Sequence, residues 1–127
     1  MRLALDTNRY VDFCRGVPDV VKALEAAEAV YLPFVVLGEL RGGFAIGSKG
    51  PQNERFLRRF LMREGVDILF ADEQTTYHYA AVYRQLRAQG TPIPTNDLWI
   101  AALVLQHDVA LFARDQHFDN VPQLVRL

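Results

Sequence analysis

Short apolar runs alternate along this chain with longer stretches in which apolar residues recur every three or four positions. The first run, Leu3-Ala4-Leu5, stops abruptly at Asp6-Thr7-Asn8, which predicts a buried strand followed by a turn. A short helix over 9–15 closes near Gly16, and Pro18-Asp19 open a second helix reaching about Glu28, with Val21, Leu24 and Ala27 on its inner face. Val30-Tyr31-Leu32 predicts a second strand, ended by Pro33, and a third helix follows over 34–44. Gly47-Ser48-Lys49-Gly50-Pro51 reads as a loop. The next segment, 52–64, is strongly amphipathic: Phe56, Leu57, Phe60 and Leu61 form one stripe, and Arg55, Arg59 and Arg63 another. Val66-Asp67-Ile68-Leu69 predicts strand three, and 73–89 a long helix with Tyr79, Val82, Tyr83 and Leu86 facing inward. After the rigid connector 90–94, Thr95 caps a helix reaching about Gln106. Val109-Ala110-Leu111-Phe112 predicts strand four, and Leu124-Val125-Arg126 offers a fifth.

Strands alternating with helices predict an α/β fold: a three-layer sandwich with a central parallel sheet of four to five short strands flanked by helices. At 127 residues the chain is expected to form a single domain, 1–127. Half the residues are hydrophobic and 23% are charged, which excludes a disordered chain, and no apolar run approaches a membrane span. The lone Cys14 excludes an internal disulfide and a cysteine-rich zinc site; it reads as packing and suits a reducing cytoplasm. Net charge is −1, so any nucleic-acid binding needs a local basic patch.

Four acidic residues resist assignment to solvated faces. Asp6 and Asp115 follow apolar strands, at the strand ends where open parallel sheets bind ligands; Asx caps are the competing reading. Glu39 stands inside the apolar segment Val35–Leu40, and a buried carboxylate must be paired, protonated or bound to a cation; a salt bridge to Arg41 is the competing reading. Asp97 lies in the first turn of a very apolar helix, whose N-terminus favours the ionised form. If strands one and four are neighbours, Asp6, Asp97 and Asp115 converge on one sheet edge. Two carboxylates about 5 Å apart repel by about 3 kcal/mol at an effective dielectric of about 20. Such a cluster persists only by holding protons or a cation, and oxygen donors with no His or Cys nearby point to Mg²⁺ or Mn²⁺.

These residues lie in motifs that resemble the PIN-domain family, and within it the small VapC-like toxin ribonucleases. The matching segments are Leu5-Asp6-Thr7-Asn8, Gly38-Glu39-Leu40, Asn96-Asp97-Leu98-Trp99-Ile100-Ala101-Ala102 and Arg114-Asp115-Gln116-His117-Phe118, in the family's order over nearly the whole chain. The resemblance implies that Asp6, Glu39, Asp97 and Asp115 form an acidic Mg²⁺ or Mn²⁺ site, with Thr7 and Asn8 as supporting polar groups. It implies metal-dependent hydrolysis of RNA, inhibition by a cognate antitoxin protein, and a homodimer. The sequence departs from the family at Ala113, where a hydroxyl residue is common. Asp119 reads as a loop cap, and His117 as ordering the loop near Asp115. Arg55, Arg59 and Arg63 are the basic group that could meet an RNA backbone; a solvated helix face or subunit contact is the competing reading. Two alternatives stand beside the nuclease. A non-catalytic PIN-like RNA-binding module normally lacks an acidic residue, and a Mg-dependent phosphatase wants a second aspartate where Asn8 stands.

Overall fold

A computed structural model describes residues 1–127. Its elements are β1 (Arg2–Leu5), α1 (Thr7–Cys14), α2 (Pro18–Ala26), β2 (Ala29–Pro33), α3 (Phe34–Ile46), α4 (Gly50–Leu61), β3 (Val66–Leu69), α5 (Glu73–Gln89), α6 (Thr95–His107) and β4 (Ala110–Phe112), followed by a 3₁₀ turn at Gln116–Asn120. The strands form one sheet in the order β3-β2-β1-β4, with every pair parallel. Parallel pairing requires a crossover after each strand, and the six helices supply three helical pairs for that purpose. The strands are short and apolar because the central ones, β1 and β2, are covered on both faces: Leu3, Ala4, Leu5 and Leu32 have almost no exposed surface.

The connection leaving β1 leads to β2 on one side, whereas the chain returns from β3 to place β4 on the other side of β1. A crevice therefore opens at the carboxyl ends of β1 and β4, where the winding direction changes. The backbone N–H of Asp6 donates to the Phe112 carbonyl (3.1 Å), tying the two strand ends together.

The structure alters several sequence expectations. The fifth strand shrinks to one bridge, Leu111 to Arg126, with Leu111 N–H donating to the Val125 carbonyl (2.8 Å) and Leu127 N–H to the Leu111 carbonyl (3.0 Å). On α2 it is Val20, not Val21, that is fully buried. On α5, Tyr83 is exposed, while the Tyr79 ring packs at a tilt against Trp99 with centroids 4.2 Å apart. Helix α4 ends at Leu61, so Arg63 lies beyond it, and Phe56 stays 39% exposed although Leu57 and Phe60 are buried. Helix α6 has Thr95 as its first residue and no side-chain cap. The expected 47–51 loop is shorter, 47–49, because Gly50 and Pro51 already open α4; a Cβ on Gly50 would come within 2.5 Å of the Phe44 carbonyl oxygen, so the tight α3–α4 connection needs glycine there.

Candidate active site

Asp6 is both the residue after β1 and the N-cap of α1, where its Oδ1 accepts the Thr7 N–H at 2.8 Å. It is buried. Burial is the largest cause pushing its carboxyl up to about 6; the Thr7 N–H opposes this, and the charges of Asp97, Glu39 and Asp115 reinforce it. The three other expected acidic residues are thus all electrostatic neighbours of Asp6.

Asp97 is the third residue of α6, carried inward because the helix behind it is apolar through Leu98, Ile100, Ala101, Ala102, Leu103 and Val104. Burial raises its pKa, a hydrogen bond with His117 opposes the rise, and Asp115 adds to it. Asp115 caps the 3₁₀ turn by accepting the His117 N–H on Oδ1 at 2.9 Å. That turn folds the His117 ring back between the two carboxylates. Nδ1 lies 2.8 Å from Asp97 Oδ2 and 3.0 Å from Asp115 Oδ1. The hydrogen bond to Asp97 is the main cause raising the His117 pKa above its ordinary value. Asp97, Asp115 and His117 each offer a ligand atom, all within 4.8 Å of one another.

His117 orders the loop at Asp115 as expected, but its ring also reaches Asp97, so the expectation of oxygen donors with no histidine among them is corrected. The contact between His117 and Asp97 is what spacing does not show, whereas an aspartate two residues before a backbone N–H is the pattern of an Asx turn. Glu39 is also corrected in part. It reaches the site edge but is exposed, because α3 buries Val35, Val36, Leu37 and Leu40 and turns Gly38 and Glu39 outward. Its partner is the Thr7 hydroxyl, which donates to Oε1 at 3.1 Å. Arg41 pairs instead with Glu54 through two contacts of 3.0 and 3.1 Å. Thr7 thus links Asp6 to Glu39, donating its N–H to one and its hydroxyl to the other. Asn8 is exposed beside them.

Other expected roles separate from this cluster. Asp119 pairs with Arg126 at 3.0 Å. Ala113 is buried, with its carbonyl accepting from Arg126 at 3.1 Å. Cys14, read as packing, is exposed at the end of α1. Arg55 and Arg59 do share a surface, lining a shallow depression with Arg58 and Glu54. Arg63 leaves that group: its guanidinium lies over Phe13 at 5.3 Å and over Phe60 at 6.0 Å.

Carboxylate oxygens with one imidazole nitrogen suit a divalent cation. The preponderance of oxygen fits Mg²⁺ or Mn²⁺, and the imidazole is more familiar to Mn²⁺ than to Mg²⁺. No helix is long and apolar enough to cross a membrane.

Residues 3–124 match the family profile described as PIN domain. Ribonuclease VapC1 of Haemophilus influenzae (strain R2866) is 33% identical over 124 residues, covering 87% of this chain and 89% of the relative. Ribonuclease VapC4 of Mycobacterium tuberculosis is 31% identical over 90 residues, covering 71% of this chain and 69% of the relative. Among solved structures, VapBC2 from Rickettsia felis, bound to a promoter DNA fragment, superposes with a TM-score of 0.88 at 27% identity, covering 100% of this chain and 98% of that one. VapBC-1 from nontypeable Haemophilus influenzae gives 0.87 at 26% identity, covering 100% and 97%.

Proposed function

This chain belongs to the PIN-domain family, and from that premise we propose that it is a metal-dependent endoribonuclease, the toxin of a toxin–antitoxin pair. The observation that carries this reading is the gathering of ligand atoms of Asp97, Asp115 and His117 within 4.8 Å of one another at the strand ends where Asp6 is tied to β4, with Glu39 joined to Asp6 through Thr7. In this reading Asp6, Glu39, Asp97 and Asp115 hold Mg²⁺ or Mn²⁺. When bound, the ion supplies activation of a water nucleophile and neutralises charge on the phosphoryl oxygens. Thr7 orients Glu39 and fixes Asp6, and Asn8 adds a polar group at the mouth. In the metal-free protein the protonated His117 sits between Asp97 and Asp115 and offsets part of their repulsion; deprotonated, its Nδ1 is free to join the carboxylates around a cation. Incubating the purified chain with RNA and Mn²⁺ tests the reading: cleavage that stops on adding EDTA supports it, and equal cleavage with and without metal contradicts it.

RNA is held despite the net negative charge by Arg55 and Arg59, whose shared surface offers paired cations to a phosphate backbone. Arg59→Glu is expected to weaken RNA binding across sequences and to lower the salt slope of affinity by about one. An unchanged slope would assign those arginines to a solvated face.

The partner proposed is a cognate antitoxin protein, whose basic side chain would compete with the cation for the carboxylates. The chain carries a groove of about 410 Å³ between α1, α3 and α4, lined by Tyr10, Leu40, Phe44, Phe56 and Arg59. An apolar segment seated there would cover the half-exposed Phe56. A homodimer is part of the same proposal, and Tyr77 and Tyr83 on α5 are exposed aromatics available to it.

A further inference from the structure

We infer that Asp12 and Arg114 form a positioning strut that fixes the metal-binding carboxylate of Asp115 relative to that of Asp6; the inference rests on the metal-site reading above. Asp12 is one of three buried carboxylates, yet none of its contacts is with the acidic cluster. Its oxygens are taken by arginines. Arg114 approaches side-on, Nη2 at 3.2 Å from Oδ1 and Nε at 3.1 Å from Oδ2, and Arg9 Nη1 lies 3.3 Å from Oδ2. A two-point contact between a guanidinium and a carboxylate fixes direction as well as distance.

The placement of the pair gives the strut its purpose. Asp12 stands on α1, whose N-cap is Asp6, and Arg114 immediately precedes Asp115. The contact spans 102 positions of sequence and joins the two chain segments that carry opposing walls of the site. Arg9 strengthens the α1 end by laying its guanidinium over the ring of Phe112, the last residue of β4, at 4.5 Å. On the other side of the same loop, Arg126 Nη2 donates to the Ala113 carbonyl at 3.1 Å. Residues 113 and 114 are therefore held on both flanks. Asp115 departs from a fixed point rather than from a free loop, and its side chain then caps the turn that carries His117. Groups that orient the groups binding a metal typically contribute 10–100-fold to its affinity.

The test compares full-length Arg114→Gln and Asp12→Asn with the unaltered protein and with Val82→Ala. Val82 is a buried residue of α5 outside the strut and the acidic cluster, so its variant loses stability without touching either. Two readouts are used: Mn²⁺ affinity by calorimetry, and amide hydrogen exchange of segment 113–120 in metal-free protein. Arg114→Gln is expected to bind Mn²⁺ roughly 10–100-fold more weakly and to exchange faster across 113–120, whereas Val82→Ala keeps both at wild-type values. The double variant D12N/R114Q is expected to bind no more weakly than D12N alone, because the two residues act through one contact. If D12N leaves two arginines unpaired and fails to fold, R114Q decides the matter. Wild-type Mn²⁺ affinity and wild-type exchange in R114Q, or an equal loss in Val82→Ala, would overturn the strut. Absence of Mn²⁺ binding by the unaltered protein would instead overturn the metal-site reading on which it rests.

Discussion

Asp97→Asn is expected to lower metal-dependent RNA cleavage by about 10³-fold or more, since a ligand that anchors the cation contributes several kcal/mol to transition-state charge stabilisation. The substitution is conservative in shape. Asp97 is the third residue of α6, the first turn has no side-chain cap that depends on it, and an asparagine can keep a hydrogen bond to His117. What disappears is one negative charge in the centre of the cluster. Stability is expected to hold, because burial penalises the ionised carboxylate at this position. Far-UV circular dichroism and thermal unfolding check the fold, and a time course of RNA cleavage in Mn²⁺ checks the activity. The same variant should return the His117 ring toward its ordinary pKa, since the Asp97 hydrogen bond is the main cause of its rise. A well-folded Asp97→Asn protein that cleaves as fast as the parent would remove Asp97 from the site.

Asp6→Asn is expected to stabilise the metal-free protein at neutral pH while abolishing its metal binding. Asp6 has its carboxyl lifted from 3.8 to about 6 in the folded state. A carboxyl whose folded pKa is raised costs stability when ionised. The cost is absent below the unfolded value near 3.8, grows as pH rises toward 6, and is complete above it. A rise from 3.8 to about 6 corresponds to at most about 3 kcal/mol, or at most about 11 °C in Tm for a domain of this size. Asparagine removes the ionisation and can still accept the Thr7 N–H that caps α1. The gain in Tm should therefore be large at pH 7.5, smaller at pH 5 and negligible at pH 4. A variant less stable than the parent at pH 7.5 would show that the Asp6 carboxylate is not under electrostatic and desolvation stress. In the parent, Mn²⁺ should recover the missing stability, by about 2.7 kcal/mol at a hundredfold excess over Kd.

The four parallel strands and the pairing of β1 with β4 were legible because strand and helix signals do not compete in this chain, whereas a place for both strands at the sheet centre was not borne out, since β4 lies at the edge of the order β3-β2-β1-β4. Leu3-Ala4-Leu5 and Ala110-Leu111-Phe112 are too short and too uniformly apolar to be surface helix; the first ends directly on Asp6, and the second reaches Asp115 three residues on. The third helix was legible as an element but not in its orientation. Successive helical residues are about 100° apart, so a carboxylate can sit within an apolar run and still emerge at the rim of the buried stripe, as Glu39 does. The place of His117 in the Asp115 loop was legible, but its contact with Asp97 was not, because it depends on the approach of α6 across 20 residues. Asp12 sits between Val11 and Phe13, a charge inside an apolar stretch as Glu39 is. Its partner Arg114 is more than a hundred positions away, where no local pattern reaches.

The most direct test of the central claim is anomalous scattering from crystals of the full chain grown with Mn²⁺. The account predicts a manganese peak within coordination distance of Asp97 and Asp115, with Asp6 and Glu39 closing the site directly or through water. A manganese peak bound elsewhere on the molecule, with this crevice holding only water under the same conditions, would contradict it.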